Sequence, residues 1–146
     1  MKIISLILIL ISSAFFAQKP EEDAIKSTVN QLFTGMKNSD SLLIRNSFSK
    51  DAVLQTITKT GEVKNESIDN FVISISKAEK GSLDEKISFA TVLVDGNLAS
   101  VWTPYEFYYK GQFSHCGVNS FQLVKSNNEW KIQYIIDTRR KENCKK

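Results

Sequence analysis

The sequence predicts an α+β domain in which a curled antiparallel sheet, a four-strand meander plus a short hairpin, wraps over about three helices of the N-terminal half to make a cone. Three observations carry this reading. From Leu83 to Arg140 the chain runs through segments rich in Val, Ile, Phe, Tyr, Trp and Thr, the residues half-buried strands prefer. These are punctuated by Asp95-Gly96-Asn97, Lys110-Gly111 and Asn127-Asn128, the Asx and Gly pairs that tight hairpins with positive φ require. Upstream, Ile25, Val29, Leu32, Phe33 and Met36 recur at helical spacing, giving an apolar stripe that needs an apolar sheet face to cover it.

In chain order, Met1-Lys2 and the apolar run Ile3 to Phe16 come first, shorter than the roughly 20 residues of a membrane span. Residues 1–17 read as a secretory signal peptide cleaved after Ala17, or after Ala14; the alternative is a retained anchor helix. This places the mature chain in the periplasm or outside the cell, as one domain over residues 18–140 with a basic tail at 141–146. Pro20 and the acids Glu21, Glu22 and Asp23 suit a helix start. Asn38-Ser39-Asp40 ends that helix, and Asp40 or Ser41 caps a second one that points Leu43, Ile44 and Phe48 inward. Asp51 to Thr58 alternates as a short strand and returns through Thr60-Gly61 into Glu62-Val63-Lys64. A third helix from Asn65 or Ser67 buries Ile68, Phe71, Val72 and Ile75 and stops by Gly81.

Charge and composition exclude several classes. The formal charge is +3, and removing the leader takes away one lysine and no acid. Arg139 to Lys146 holds five bases and one acid, so the positive charge sits in the terminus and not on a folded face, which argues against nucleic acid as a partner. Cys116 and Cys144 either bridge, as an oxidising compartment allows, or remain thiols. With a single histidine they make no metal-binding pattern, and the glycines form no cofactor fingerprint.

Two-residue turns set a register. Glu106 falls opposite His115, Pro104 opposite Gly117 and Trp102 opposite Asn119. Phe121 falls opposite Tyr134, His115 opposite Arg140, Thr91 opposite Trp102 and Phe89 opposite Pro104. Alternation then collects Ile87, Phe89, Thr91, Leu93, Trp102, Glu106, His115, Asn119, Phe121, Tyr134 and Ile136 on the inner face and sends Asp137 outside. On this map Glu106 and His115 are a candidate acid/base pair. Asn119 or Tyr108 would meet an oxyanion, Trp102 and Phe89 would exclude water, and Tyr134 would line the pocket. Arg140 would hold an anion or neutralise Glu106. The alternative is an ion-pair cluster of Glu106, His115 and Arg140 closing the open end of the cone.

Several segments resemble the nuclear-transport-factor-2-like, or cystatin-like cone, superfamily, in its secreted bacterial branch labelled lumazine-binding or SnoaL-like. They are Val29 to Met36, Phe48 to Gln55, His115 to Lys125, Trp130 to Ile132 and Asp137 to Arg140. The resemblance implies that helices and the concave sheet face enclose a pocket. It also implies a homodimer through the opposite face, here Ala90, Val92, Val101, Tyr105, Val118 and Ile135. The superfamily holds isomerases, dehydratases, cyclases, carriers and interaction modules, so fold does not give function. Its isomerases carry an acid deep in the cone; the acid read on the inner face here is Glu106, at the pocket mouth, a departure from that pattern that argues against the isomerase role. The first expectation is a non-catalytic protein that binds a small, largely apolar molecule without a cofactor. The alternatives are an acid/base enzyme of cyclase, isomerase or dehydratase type, and a dimeric interaction module whose cone is filled.

Overall fold

The computed structural model describes residues 2–144, with side chains from residue 19 onward. Helix α1 (Lys2–Asn38) contains Pro20 instead of starting there. The side chains of the expected leader, residues 1–17, lie outside the described ones, and no described helix is long and apolar enough to cross a membrane. Helix α2 (Ser41–Ser47) is capped by Asp40, whose carboxylate accepts from the Leu43 N–H at 2.9 Å. Helix α3 (Ile68–Ser76) is capped by Ser67 and buries Val72 and Ile75.

Seven strands form one curled sheet: β1 (Phe48–Ile57), β2 (Val63–Glu66), β3 (Leu83–Ile87), β4 (Thr91–Asp95), β5 (Leu98–Tyr109), β6 (Gln112–Ser126) and β7 (Glu129–Arg140). Their order is β2-β1-β7-β6-β5-β3, with β4 continuing the β3 edge along β5. The sheet is mixed, not purely antiparallel, because the hairpin joins the meander through a parallel β1–β7 pair. The turns are as expected: Lys110 and Gly111, and Asn127 and Asn128, all have positive φ.

The segment expected as one strand from Leu83 is two, interrupted at Ser88–Ala90. Pro104 supplies the reason. Its carbonyl accepts from the Ser88 N–H at 3.0 Å, so its missing N–H would face the same neighbour, and the ladder breaks where that donor is absent.

The stripe of α1 packs on the inner face of the sheet around Val101, Phe121, Leu123, Ile132 and Ile135. Gly35 lets α2 close against α1, since a Cβ there would lie 2.7 Å from Ile44.

Two β-bulges correct the expected register. Tyr108 pairs with Phe113, but Ser114 is an extra residue, so Phe107 and not Glu106 opposes His115. Glu106 opposes Cys116, Pro104 opposes Val118 and Trp102 opposes Ser120. A second extra residue, Gln133, moves Phe121 opposite Ile135 and Arg140 opposite Cys116. A one-residue offset exchanges faces. Thr91, Leu93, Trp102, Glu106, Tyr134, Ile136 and Arg140 therefore lie outside, while Val101, Tyr105, Ile135 and Asp137 lie inside. Thr91 opposite Trp102 holds, on the outer face.

Candidate functional site

The wide end of the cone encloses a cavity of about 250 Å³. Its apolar walls come from Leu32, Phe33 and Met36 of α1, Leu54 of β1, Phe71 and Ile75 of α3, and Phe121 and Ile135 of the sheet. Ser74 stands exposed at its mouth. The volume is near the lower end of the roughly 300–1,000 Å³ typical of small-molecule pockets.

One end is polar, and it is built by alternation on four neighbouring strands. Glu85 of β3, Tyr105 of β5, Asn119 of β6 and Asp137 of β7 all point inward. Asn119 Nδ2 donates to Glu85 Oε1 at 2.8 Å and lies 3.4 Å from Thr103 Oγ1. The Tyr105 hydroxyl donates to the Thr138 carbonyl at 2.9 Å and reaches Asp137 Oδ2 at 3.3 Å. Arg139 Nε donates to the same Asp137 oxygen at 2.9 Å. Burial pushes the Glu85 carboxyl up to about 7, with Asp137 adding to the rise and the Asn119 hydrogen bond opposing it. Burial and then Asp137 also raise the Tyr105 hydroxyl, so it remains a donor at neutral pH. Gly117, opposite Tyr105, is needed here: a Cβ would sit 1.8 Å from the Thr138 carbonyl oxygen and 2.7 Å from the Tyr105 ring.

Of the residues expected at the site, the structure brings two to it, His115 and Asn119. His115 lies edge-on to Tyr105 and tilted on Phe107, with ring centroids 5.7 and 5.0 Å apart. Its Nδ1 is 3.1 Å from Ser114 Oγ. Burial, then Arg139, lowers its pKa, so it is neutral at pH 7. Glu106 is not its partner: it lies outside and accepts from the Tyr108 hydroxyl at 2.8 Å. Tyr108 therefore faces away from the cavity and packs against Phe113. Trp102 is 49% exposed on the outer face beside Leu93. Phe89 packs on the core with Lys26 over its ring, at 5.6 Å. Tyr134 donates to Gln55 Oε1 at 2.6 Å and does not line the cavity. Arg140 is replaced at the mouth by Arg139.

The reading of the sequence missed Glu85, Tyr105, Asp137 and Arg139. A signal for Tyr105 existed within β5 itself. Ala99, Val101, Thr103, Tyr105 and Phe107 form an uncharged alternate set, whereas the other set carries Glu106 and Pro104. Cys116 and Cys144 are joined in a disulfide that ties the chain after β7 to the outer side of β6. Among the described residues no group of His, Cys, Asp and Glu is arranged to hold a metal.

A cone of helices over a curled sheet, with an apolar cavity and a polar end, defines a nuclear-transport-factor-2-like protein. Residues 20–134 match the family described as "Putative lumazine-binding", and the chain belongs to it. No curated protein matches the sequence. Among solved structures, a nuclear-transport-factor-2-like protein of unknown function from Shewanella baltica is similar over 83% of this chain and 94% of its own, at 20% identity and TM-score 0.68. One from Silicibacter pomeroyi is similar over 84% and 98%, at 18% identity and TM-score 0.69. A ketosteroid isomerase-like protein from Erwinia carotovora atroseptica is similar over 83% and 97%, at 15% identity and TM-score 0.62. At these identities the likeness is one of fold.

Proposed function

We propose that this is a secreted or periplasmic protein that binds a small, largely apolar molecule in the cone without transforming it. The observation that carries the reading is the cavity of about 250 Å³, apolar on most sides and polar at one end. A cone filled by its own side chains, as an interaction module would have, fits this space poorly. The test is mass spectrometry of molecules released on denaturing the purified protein, compared with Ser74→Trp, which plugs the mouth from an exposed position. A molecule retained by the wild type and lost from the variant supports the reading; identical extracts oppose it.

A second reading, acid/base catalysis, is favoured by one observation. Glu85, inside the cone, has a pKa of about 7, suited to accepting and returning a proton near neutrality. Glu85 takes the role expected of Glu106, and Tyr105 or His115 would face the substrate. The outer face supports pairing of two copies: Leu93 and Trp102 are 63% and 49% exposed there, side by side.

A further inference from the structure

We propose that the molecule taken by the cavity carries a nitrogenous head with at least two N–H donors, an amide, amidine or amine on an apolar body. This rests on the cavity being a ligand site, and it specifies which chemistry the polar end accepts.

Three donor groups at that end are already engaged, while the Thr56 hydroxyl and the Arg139 Nη groups are left to donate. The Asn119 amide group serves Glu85, Arg139 Nε serves Asp137, and the Tyr105 hydroxyl serves the Thr138 carbonyl. With its NH₂ fixed toward a carboxylate, Asn119 is left with its carbonyl oxygen to offer. Among the described residues no donor reaches that oxygen, Glu85 Oε2 or Asp137 Oδ1. Thr56 lies beside Asp137 across the β1–β7 pair and also lines the cavity; its buried hydroxyl has no partner. Of these atoms the Thr56 hydroxyl is sequestered without a partner, which is costly, and the other three are oxygens of cavity-lining residues that can accept; a head bearing N–H groups serves several at once. An acceptor-only ligand, such as a ketone, could take the Thr56 hydroxyl or an Arg139 Nη group but would leave the Asn119 carbonyl, Glu85 Oε2 and Asp137 Oδ1 unserved.

Charge points the same way. Three carboxylates line the cavity, Glu66, Glu85 and Asp137, against one guanidinium, Arg139. His115 is held neutral and adds no positive charge. The groups facing Glu85 are Asp137 and Arg139 from β7, Asn119 and His115 from β6, and Tyr105 from β5. On the α1 side, Lys37 is paired with Asp84 at 3.1 Å. Donors brought to Glu85 favour its ionised form, so a donor-bearing ligand binds more tightly as pH rises through about 7. An acceptor-only ligand would do the reverse.

The experiment is calorimetric titration of the full chain with benzamidine, benzamide and acetophenone, one ring with different heads, at pH values one unit either side of about 7. The two donor-bearing probes are expected to bind at least ~10-fold more tightly than acetophenone. Their affinity is expected to rise ~10-fold between the two pH values, the change in the ionised fraction of Glu85. Glu85→Gln should remove that pH difference while sparing acetophenone; the comparison of probes on the unmodified chain needs no variant. Acetophenone binding as well as benzamide, or better, would overturn the donor assignment and leave the cavity as a ligand site. Failure of all three to bind would overturn the assignment and count against the ligand site itself.

Discussion

Asn119 and Glu85, 34 residues apart in sequence, meet inside the cone through an amide-to-carboxylate hydrogen bond of 2.8 Å. This contact ties the edge strand β3 to the centre of the sheet across β5 and fixes the polar end of the cavity. Asn119→Ala is expected to cost about 1–3 kcal/mol, because it leaves a buried carboxyl without its donor. The loss should be greater above pH 7, where Glu85 is charged, than at pH 5. Urea melts at both values measure it.

Stability should carry the signature of Glu85. Its folded pKa, about 7, lies above its ordinary 4.5, so the folded chain holds more protons than the unfolded chain between those values. Stability attributable to Glu85 therefore falls as pH rises from 4.5 to about 7 and is level above. The span is at most on the order of 3 kcal/mol, less where water screens the group. His115 acts oppositely: its lowered pKa means stability is lost as pH falls below its ordinary 6.5. Subtracting the wild-type curve from that of Glu85→Gln isolates the carboxyl, and the variant should be the more stable one at pH 8.

Gly117 has no room for a side chain. A methyl group 1.8 Å from the Thr138 carbonyl oxygen forces β6 and β7 apart and displaces the Tyr105 ring. Gly117→Ala should cost about 3 kcal/mol or more, at the upper end for overpacking, and should shift the Tyr105 ring signals in NMR spectra.

The bridge between Cys116 and Cys144 closes a loop of 28 residues in sequence separation, around the β6–β7 hairpin. Chain-entropy reasoning gives about 3–4 kcal/mol for a loop of this size. Cys144→Ser, or reduction of the wild type, should lower the denaturation midpoint accordingly, and adding reductant to the variant should change nothing further.

Much of the fold was legible because the residues that set it are local. Asp40 caps α2, Lys110-Gly111 and Asn127-Asn128 make their hairpins, and the Ile25 to Met36 stripe buries as spaced. The site was half legible because it depends on register, and register depends on two extra residues, Ser114 and Gln133, that no glycine marks. Each offsets the pairing by one and so exchanges Trp102 and Glu106 for Tyr105 and Phe107, and Tyr134 for Ile135. His115 and Asn119 kept their face because both lie beyond the bulge on the strand that anchored the map. Glu85 shares the alternate set of Ile87 on β3, yet its partner Asn119 is too distant in sequence for any local pattern to reveal.

The most direct test is methyl NMR of the full chain titrated with benzamide. Binding inside the cone predicts that Leu32, Met36, Leu54, Ile75 and Ile135 shift together and saturate, while Leu93 and Leu98 on the outside stay still. Shifts confined to Leu93 and Leu98, or none at saturating probe, would contradict it.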